Sequence, residues 1–212
     1  MSTISQFRLT ANAARELKII KLEEPVIVTT LYDDWCIDVR RILRKKIFIF
    51  IHVKTRLALA IAGSKIGKTQ NLFDCFFLFI QEYLYELEGG QSSNILSCHL
   101  EYMRLTKTYD KSALKSLVDF NILLGQVAKR HGDIDQFLCD KVVNISNNMP
   151  RKSFSYRTPN EIWKESRKLN LTCDAIVYNW QVIAVLHNGT SSFSAVNYQR
   201  PENSRNKANK TL

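Results

Sequence analysis

The sequence predicts one domain of the α+β class, in which a small, largely antiparallel sheet is built on a central hairpin and packed by several helices. The chain has 212 residues, 45% of them hydrophobic, which is enough for one substantial core. Two strand-like segments with a polar turn between them occupy residues 35–53, and segments with helical spacing continue to about residue 170. We therefore expect residues 1–170 to form a single domain.

The hairpin is the clearest pair of strands. In residues 35–41 the apolar side chains Trp35, Ile37 and Val39 alternate with other residues, a period of two that is typical of a strand with one buried face. In residues 46–53 both faces are apolar, which indicates a strand in the middle of the sheet. This second strand is therefore expected to be central.

Other strands are predicted before and after the hairpin. Residues 7–10 predict a short strand, and a helix follows from about residue 12 to residue 20. Residues 57–62 alternate large aliphatic side chains with alanine, so we expect a strand against whose small-residue face a helix can lie closely. Residues 100–107 predict a further strand.

Later helices are predicted from apolar spacing and from capping residues. Residues 71–88 place apolar side chains on one stripe, which ends at Gly89-Gly90. Asp110 begins a helix that runs to about residue 130, and residues 134–145 carry another. The sequence Thr-Pro-Asn-Glu at 158–161 is a capping box, which begins a helix that ends near residue 169.

The end of the chain is less determined. Residues 175–186 are apolar, but the run is too short and irregular to separate a strand from a buried helix, so the structure of the C-terminal element 171–198 stays open. Residues 199–212 have four basic side chains, one acidic side chain and no large apolar residue before Leu212. We expect this segment to be a disordered basic tail.

The charge of the chain indicates the class of its partner. The chain has 30 Lys and Arg against 20 Asp and Glu, a formal net charge of +10 and a pI near 9.4. A domain this basic attracts polyanions, of which nucleic acid is the first candidate, although a high charge that serves only solubility is the alternative. The five cysteines lack C-x-x-C spacing, no signal peptide is visible, and no apolar run reaches the ~18–20 residues of a membrane span. We expect a cytoplasmic protein without a membrane partner.

Two basic clusters supply the candidate polyanion-binding residues. The first places five positive side chains in seven positions across the hairpin turn, namely Arg40, Arg41, Arg44, Lys45 and Lys46. The second combines basic residues with aromatic residues that could stack on bases. Its basic members are Arg151, Lys152, Arg157, Lys164, Arg167 and Lys168, and its aromatic members are Phe154, Tyr156 and Trp163. The alternatives are a solvated turn that protects the sheet edge and aromatic residues that belong to the core.

Residues 62–69, Ala-Gly-Ser-Lys-Ile-Gly-Lys-Thr, match the relaxed spacing of a phosphate-binding P-loop. In this alternative interpretation backbone N–H groups around Gly67 hold the phosphates, Lys68 reaches the outer phosphate oxygens and Thr69 ligates magnesium. Such a site also needs an acidic residue at the end of a parallel strand, whereas Asp119 lies in a predicted helix and the preceding hairpin is antiparallel. A turn rich in Gly and Lys is the simpler interpretation.

We expect no other catalytic, metal or cofactor site. His52 lies on a strand predicted to be buried, which is typical of a core histidine. Cys98 and His99 are adjacent in the sequence and therefore point apart.

Several segments together resemble a bacterial family of domains of unknown function. They are residues 7–10 with Leu17 and Lys18, residues 35–46 with Phe50 and Thr55, Gly63 with the Phe-rich helix after it, Tyr102, and residues 106–112. The resemblance covers about residues 7–119. It implies a fold and an intracellular setting, and it carries no catalytic residue because that family has no established activity. It also suggests a protein-interaction module of a mobile element or defence system.

A shorter segment, residues 149–162, is similar to the closing segment of integrase-like DDE transposases. In those enzymes the segment follows the catalytic glutamate. The acidic residues upstream here do not follow the strand and helix pattern that would gather three carboxylates around two metal ions. We therefore interpret the similarity as a shared capping-box turn.

These observations favour a binding module for nucleic acid or another polyanion over an enzyme. A nucleotide-binding or phosphate-transferring enzyme that uses residues 62–69 is the first alternative. A protein-interaction module is the second.

Overall fold

The computed structural model describes residues 4–27, 34–63, 72–87 and 102–170. The predicted C-terminal element 171–198 and basic tail 199–212 lie outside these residues. The elements in chain order are β1 (Ile4–Leu9), α1 (Ala11–Glu16), β2 (Asp34–Ile42), β3 (Lys45–His52), β4 (Ala58–Ala62), α2 (Leu72–Leu87), β5 (Tyr102–Lys107), α3 (Lys111–His131), α4 (Gln136–Asn147), a 3-10 helix (Lys152–Phe154) and α5 (Pro159–Asn170).

The five strands form one mixed sheet in the order β4-β3-β2-β1-β5. β2 and β3 are the predicted hairpin, and β3 pairs antiparallel with both β2 and β4. β1 instead pairs parallel with both β2 and β5. The predicted α+β class and the central hairpin are confirmed, and the sheet has a parallel half beside its antiparallel half.

The turn between β2 and β3 consists of two residues with left-handed backbone conformations. Leu43 has φ 47° and Arg44 has φ 67°. Positive φ at both central positions matches a tight hairpin turn whose twist agrees with that of the strands. Residues with a Cβ adopt this conformation only at an energetic cost, so Asn and Gly are the usual choices.

Each face of the sheet is covered by its own set of helices. Trp35, Ile37 and Val39 point to the face covered by α1, α2 and Trp163 of α5. The opposite face packs against α3 and α4, and there β3 and β4 contribute Ile47, Ile49, Ile51, Ala58, Ala60 and Ala62. β3 is therefore apolar on both sides because both of its faces are buried.

Helix α4 covers the outer edge of β4 with two amide side chains. The Asn147 Nδ2 donates to the carbonyl oxygen of Ala58 over 2.9 Å, and the Ala58 N–H donates to the Asn147 Oδ1 over 2.7 Å. Gln136 makes the same kind of contact with Ala60 and Ala62, at 3.0 and 2.8 Å. The amides protect this edge from pairing with another strand. The alanine face of β4 packs against α3 and α4, as the alternation with alanine predicted.

The predicted helix starts are confirmed by their hydrogen bonds. The Asp110 side chain caps α3 by accepting from the Ala113 N–H at 2.7 Å. The capping box before α5 is complete, since the Glu161 N–H donates to Thr158 Oγ1 at 3.2 Å and the Thr158 N–H donates to Glu161 Oε2 at 2.7 Å. Residues 117–119 lie inside α3, as expected.

Candidate polyanion-binding surfaces

The hairpin turn is tied to two helical parts of the domain by ion pairs. Lys45 Nζ lies 2.7 Å from Asp133 Oδ1, in the connection between α3 and α4. Glu16 Oε2, at the end of α1, lies 2.9 Å from Lys46 Nζ and 3.3 Å from Arg41 Nη2. The turn therefore shares one end of the domain with the end of α1 and with the end of α3.

We call this surface the hairpin end. Its basic side chains come from the hairpin, from the last turn of α1 and from the last turn of α3, and they are Arg15, Arg40, Arg41, Arg44, Lys45, Lys46, Lys129 and Arg130. The carboxylates near them are those of Glu16, Asp38, Asp133 and Asp135. The eight basic side chains outnumber the four acidic ones, so the hairpin end carries a net positive charge.

The predicted turn cluster is largely paired. Arg40 Nε donates to Asp38 Oδ2 over 2.6 Å, and Asp38 is itself 1% exposed. Hydrogen bonding to Lys46 lowers the pKa of Glu16, and hydrogen bonding to Lys45 lowers the pKa of Asp133. Within the described parts of the chain, Arg44 alone of the five basic turn residues forms no ion pair. The sequence could not show these carboxylates, because Glu16 and Asp133 are distant from the hairpin in the chain.

The members of the second predicted cluster differ in exposure, and the side chains of Arg167 and Lys168 lie outside the described part of the structure. Lys152 and Arg157 are exposed, and Arg157 forms an ion pair with Glu165. Among the interleaved aromatic residues, Tyr156 is 71% exposed, whereas Trp163 is fully buried. Trp163 packs beside Trp35 and His52 in the core, as the alternative interpretation of these aromatics expected.

Arg151 points inward from the second cluster. Its Nη1 donates to Ser116 Oγ over 3.5 Å and its Nη2 donates to Ser146 Oγ over 3.3 Å, so both hydrogen bonds are long. Its Nε is buried and has no hydrogen-bond partner among the described residues. Burial lowers the pKa of Arg151, and the positive charge of Arg56 lowers it further.

Arg56 is a functional candidate that the sequence did not reveal. It lies in the turn between β3 and β4, with φ 61°, and its side chain is 11% exposed. Its Nη1 donates to the Val53 carbonyl oxygen, and its Nη2 lies 3.5 Å from Asp110 Oδ1. Burial lowers its pKa. No local pattern marks it, because a single arginine after a threonine is unremarkable in a sequence.

The segments that carry the family resemblance meet on the sheet. Arg8 of β1 forms a bidentate pair with Asp34 of β2, at 2.7 and 2.5 Å. Cys36 Sγ lies 3.4 Å from the hydroxyl oxygen of Thr108, which follows β5. Burial raises the pKa of Cys36 to about 11, so this thiol is protonated at neutral pH and is a poor nucleophile. The charges here are matched, which indicates a structural network.

The P-loop-like residues Gly67, Lys68 and Thr69 lie outside the described residues, so the nucleotide-binding alternative stays a prediction. The strand before them, β4, pairs only with β3 within the described sheet and does so antiparallel. Gly63, just after β4, approaches the backbone of Lys46, since a Cβ there would lie 2.8 Å from the Lys46 carbonyl oxygen.

His52 is a core residue, as predicted. It is 1% exposed, and its Nδ1 accepts from the Thr55 N–H at 3.1 Å. In the described parts of the chain no group of three or more His, Cys, Asp or Glu side chains is placed to hold a metal ion. None of the described helices is long and apolar enough to cross a membrane.

Comparison with known proteins identifies a family. The family described as "Domain of unknown function (DUF6933)" matches residues 6–162, a span that runs from β1 into α5 and contains the hairpin, Arg56 and Arg151. No curated protein matches the chain. The resemblance to a family of domains of unknown function is confirmed, while its bacterial and mobile-element aspects and the transposase similarity stay predictions. The chain belongs to the DUF6933 family of domains of unknown function.

Proposed function

We propose that this chain is a binding module for nucleic acid or another polyanion and that it contacts its partner through the hairpin end. The observation that supports this most strongly is the set of ion pairs from the hairpin to Glu16 and Asp133. These ion pairs bring basic side chains from three elements to one surface. An excess of positive charge on one surface raises the local potential and attracts a polyanion.

The ion pairs of the hairpin end are weak enough to be exchanged for contacts with phosphate. The side chains of Lys45 and Asp133 are 49% and 65% exposed, and a pair this exposed contributes little to stability because solvent screens it. Glu16 serves both Arg41 and Lys46, so neither cation has a carboxylate of its own. A phosphate oxygen can replace these carboxylates at little cost, and the release of counterions from a nucleic acid favours the exchange.

The tip of the turn supports the same conclusion. Arg44 has φ 67°, a conformation in which Gly or Asn would be less strained. Its charge forms no ion pair with any residue that the structure describes. An arginine that adopts this strained conformation and has no ion pair among the described residues is well placed for an external anion, and its planar guanidinium can hold a phosphate bidentately.

Fluorescence anisotropy with a labelled single-stranded oligonucleotide over a series of salt concentrations tests the proposal. For single strands, log K falls with log[salt] by about 0.7 for each phosphate neutralised. The variant Arg41→Gln/Arg44→Gln should therefore bind more weakly, with a slope smaller in magnitude by about 1.4.

The matched control is Lys115→Gln/Lys141→Gln, which removes the same charge from exposed side chains of α3 and α4. This control should keep the slope of the unmodified chain. The proposal fails if both variants have the same slope, or if the unmodified chain shows no binding that weakens with salt.

A further inference from the structure

Arg56 and Arg151 form a second basic feature, far from the hairpin turn. The turn that holds Arg56 joins β3 to β4, at the end of β3 opposite to the hairpin turn. Helix α3 begins beside it, since the N-cap residue Asp110 contacts Arg56. Arg151 reaches the same helix at Ser116, which is about 9 Å along the helix axis from Asp110. Both arginines therefore lie along the first two turns of α3.

The positive charge of these two arginines is poorly compensated. Arg151 forms no ion pair within the described residues, and its contacts to two serine hydroxyls are long. Arg56 has Asp110 at 3.5 Å, but the same Asp110 Oδ1 already accepts from the Ala113 N–H at 2.7 Å as the cap of α3. The charge of Asp119 also acts on Arg151, but within the described residues it lies beyond ion-pair distance. Arg56 shares its one ion-pair partner, Asp110, with the cap of α3.

Burial makes this imbalance costly. Arg56 is 11% exposed, and the Arg151 Nε is shielded from solvent without a hydrogen-bond partner among the described residues. Burial lowers the pKa of both side chains by more than the carboxylates of Asp110 and Asp119 raise it, and the charge of Arg56 lowers the pKa of Arg151 in addition. A buried cation without a matched anion destabilises a fold, and a bound anion would remove that cost.

We propose that Arg56 and Arg151 together bind one phosphate group where the β3–β4 turn, the start of α3 and the end of α4 meet, and we call this place the phosphate site. Two guanidinium groups suit a doubly charged, tetrahedral anion, because each can donate two parallel hydrogen bonds. The hydroxyls of Ser116 and Ser146 hold the Arg151 guanidinium in place. The positive end of the α3 dipole, with Lys111 in its first turn, adds to the attraction.

This inference goes beyond the proposed function, since the phosphate site and the hairpin end lie at opposite ends of β3. The phosphate group can belong to a free phosphate or small phosphate ester, or to the backbone of a nucleic acid. The chemistry that recognises it is the same in each case, and the experiment separates these sources.

Thermal unfolding of the full chain with inorganic phosphate, a 5′-mononucleotide and a single-stranded oligonucleotide provides the test. Inorganic phosphate at about ten times its dissociation constant should raise the melting temperature by about 3–6 °C. The variants Arg56→Gln and Arg151→Gln should lose this rise. The controls Lys54→Gln and Lys115→Gln, which remove exposed charges close in the chain to Arg56 and to Ser116, should keep it.

The unmodified chain supplies a second readout that needs no variant to fold. In an NMR titration with phosphate, the Nε–H resonances of Arg56 and Arg151 should shift together, with one dissociation constant. Tighter binding of the mononucleotide than of free phosphate identifies a small phosphate ester as the source. Tighter binding of the oligonucleotide, with a steeper dependence on salt, identifies a nucleic acid backbone. The proposal is overturned if none of the three anions gives a saturable response, or if the response survives both arginine substitutions.

Discussion

Replacing Asn147 by Leu should remove the side chain that completes the outer edge of the sheet. Asn147 and Ala58 are both fully buried, and the Asn147 amide satisfies the N–H and the C=O of Ala58. Leucine has the same branching at Cγ and the same number of side-chain heavy atoms, but it can satisfy neither group. An unsatisfied buried backbone group costs about 1–3 kcal/mol, so two groups cost about 2–6 kcal/mol. A domain is stable by only about 5–15 kcal/mol in total, so the loss should be large.

Urea unfolding followed by circular dichroism measures this loss as a lower midpoint. The control is Asn144→Leu, which makes the same chemical change at an exposed position of the same helix. The control should change the free energy of unfolding by no more than about 0.5 kcal/mol. If the two variants are equally stable, the amide of Asn147 does not support β4, and the reasoning about the sheet edge is refuted.

Two further predictions concern buried thiols and glycines. Burial raises the pKa of Cys36 to about 11 and that of Cys139 to about 12, whereas an unburied thiol ionises near pH 9.0. Above pH 9.0 these thiols ionise in the unfolded chain but stay neutral in the folded chain, so the folded state loses stability as the pH rises towards 11. The loss is up to about 1.4 kcal/mol per pH unit for each thiol, and below pH 9.0 there is none. Unfolding at several alkaline pH values should show this decline, and an equally steep decline in Cys36→Ala/Cys139→Ala would contradict the assignment. Gly63→Ala should destabilise by about 1–3 kcal/mol, because its Cβ would lie 2.8 Å from the Lys46 carbonyl oxygen. Gly125→Ala lies inside α3 with no atom within 4 Å of the added Cβ, so it should raise the free energy of unfolding by about 0.5–1 kcal/mol. If Gly63→Ala and Gly125→Ala shift the melting temperature in the same direction, the comparison is refuted.

Much of the secondary structure could be predicted from the sequence because its signals are local. The alternation in residues 35–41 and the apolar faces of residues 46–53 predict the hairpin, and the structure places β2 and β3 there. The caps at Asp110 and Thr158 predict helix starts, since a cap is made by side chains within three residues of the groups they satisfy. Such signals need no knowledge of distant residues.

The parallel half of the sheet could not be predicted in this way. β1 lies between β2 and β5, so residues 4–9 pair with residues 102–107 far along the chain. A short strand has the same alternation whether its neighbour is parallel or antiparallel. The direction of pairing depends on the path of the intervening chain, which no local pattern encodes.

The candidate sites also have one part that the sequence predicts and another that only the folded structure reveals. Arg40, Arg41, Arg44, Lys45 and Lys46 are a cluster in the sequence and remain a cluster in the structure, because a two-residue turn holds them together. Their carboxylate partners Glu16 and Asp133 could not be predicted, since each comes from a different element. The proposed phosphate site could not be predicted either, because Arg56 and Arg151 reach the same helix, α3, only in the folded chain.

The sequence by itself determined the class of the fold, the central hairpin, the helix caps and the excess of positive charge. These follow from side-chain period, capping chemistry and composition, which act over a few residues or over the whole chain. The tertiary structure decided the parallel pairing of β1, the neutralisation of most of the basic turn and the inward direction of Arg151. The physical reason is that pairing, burial and desolvation depend on which distant residues come within a few ångströms, and only the folded chain determines those distances.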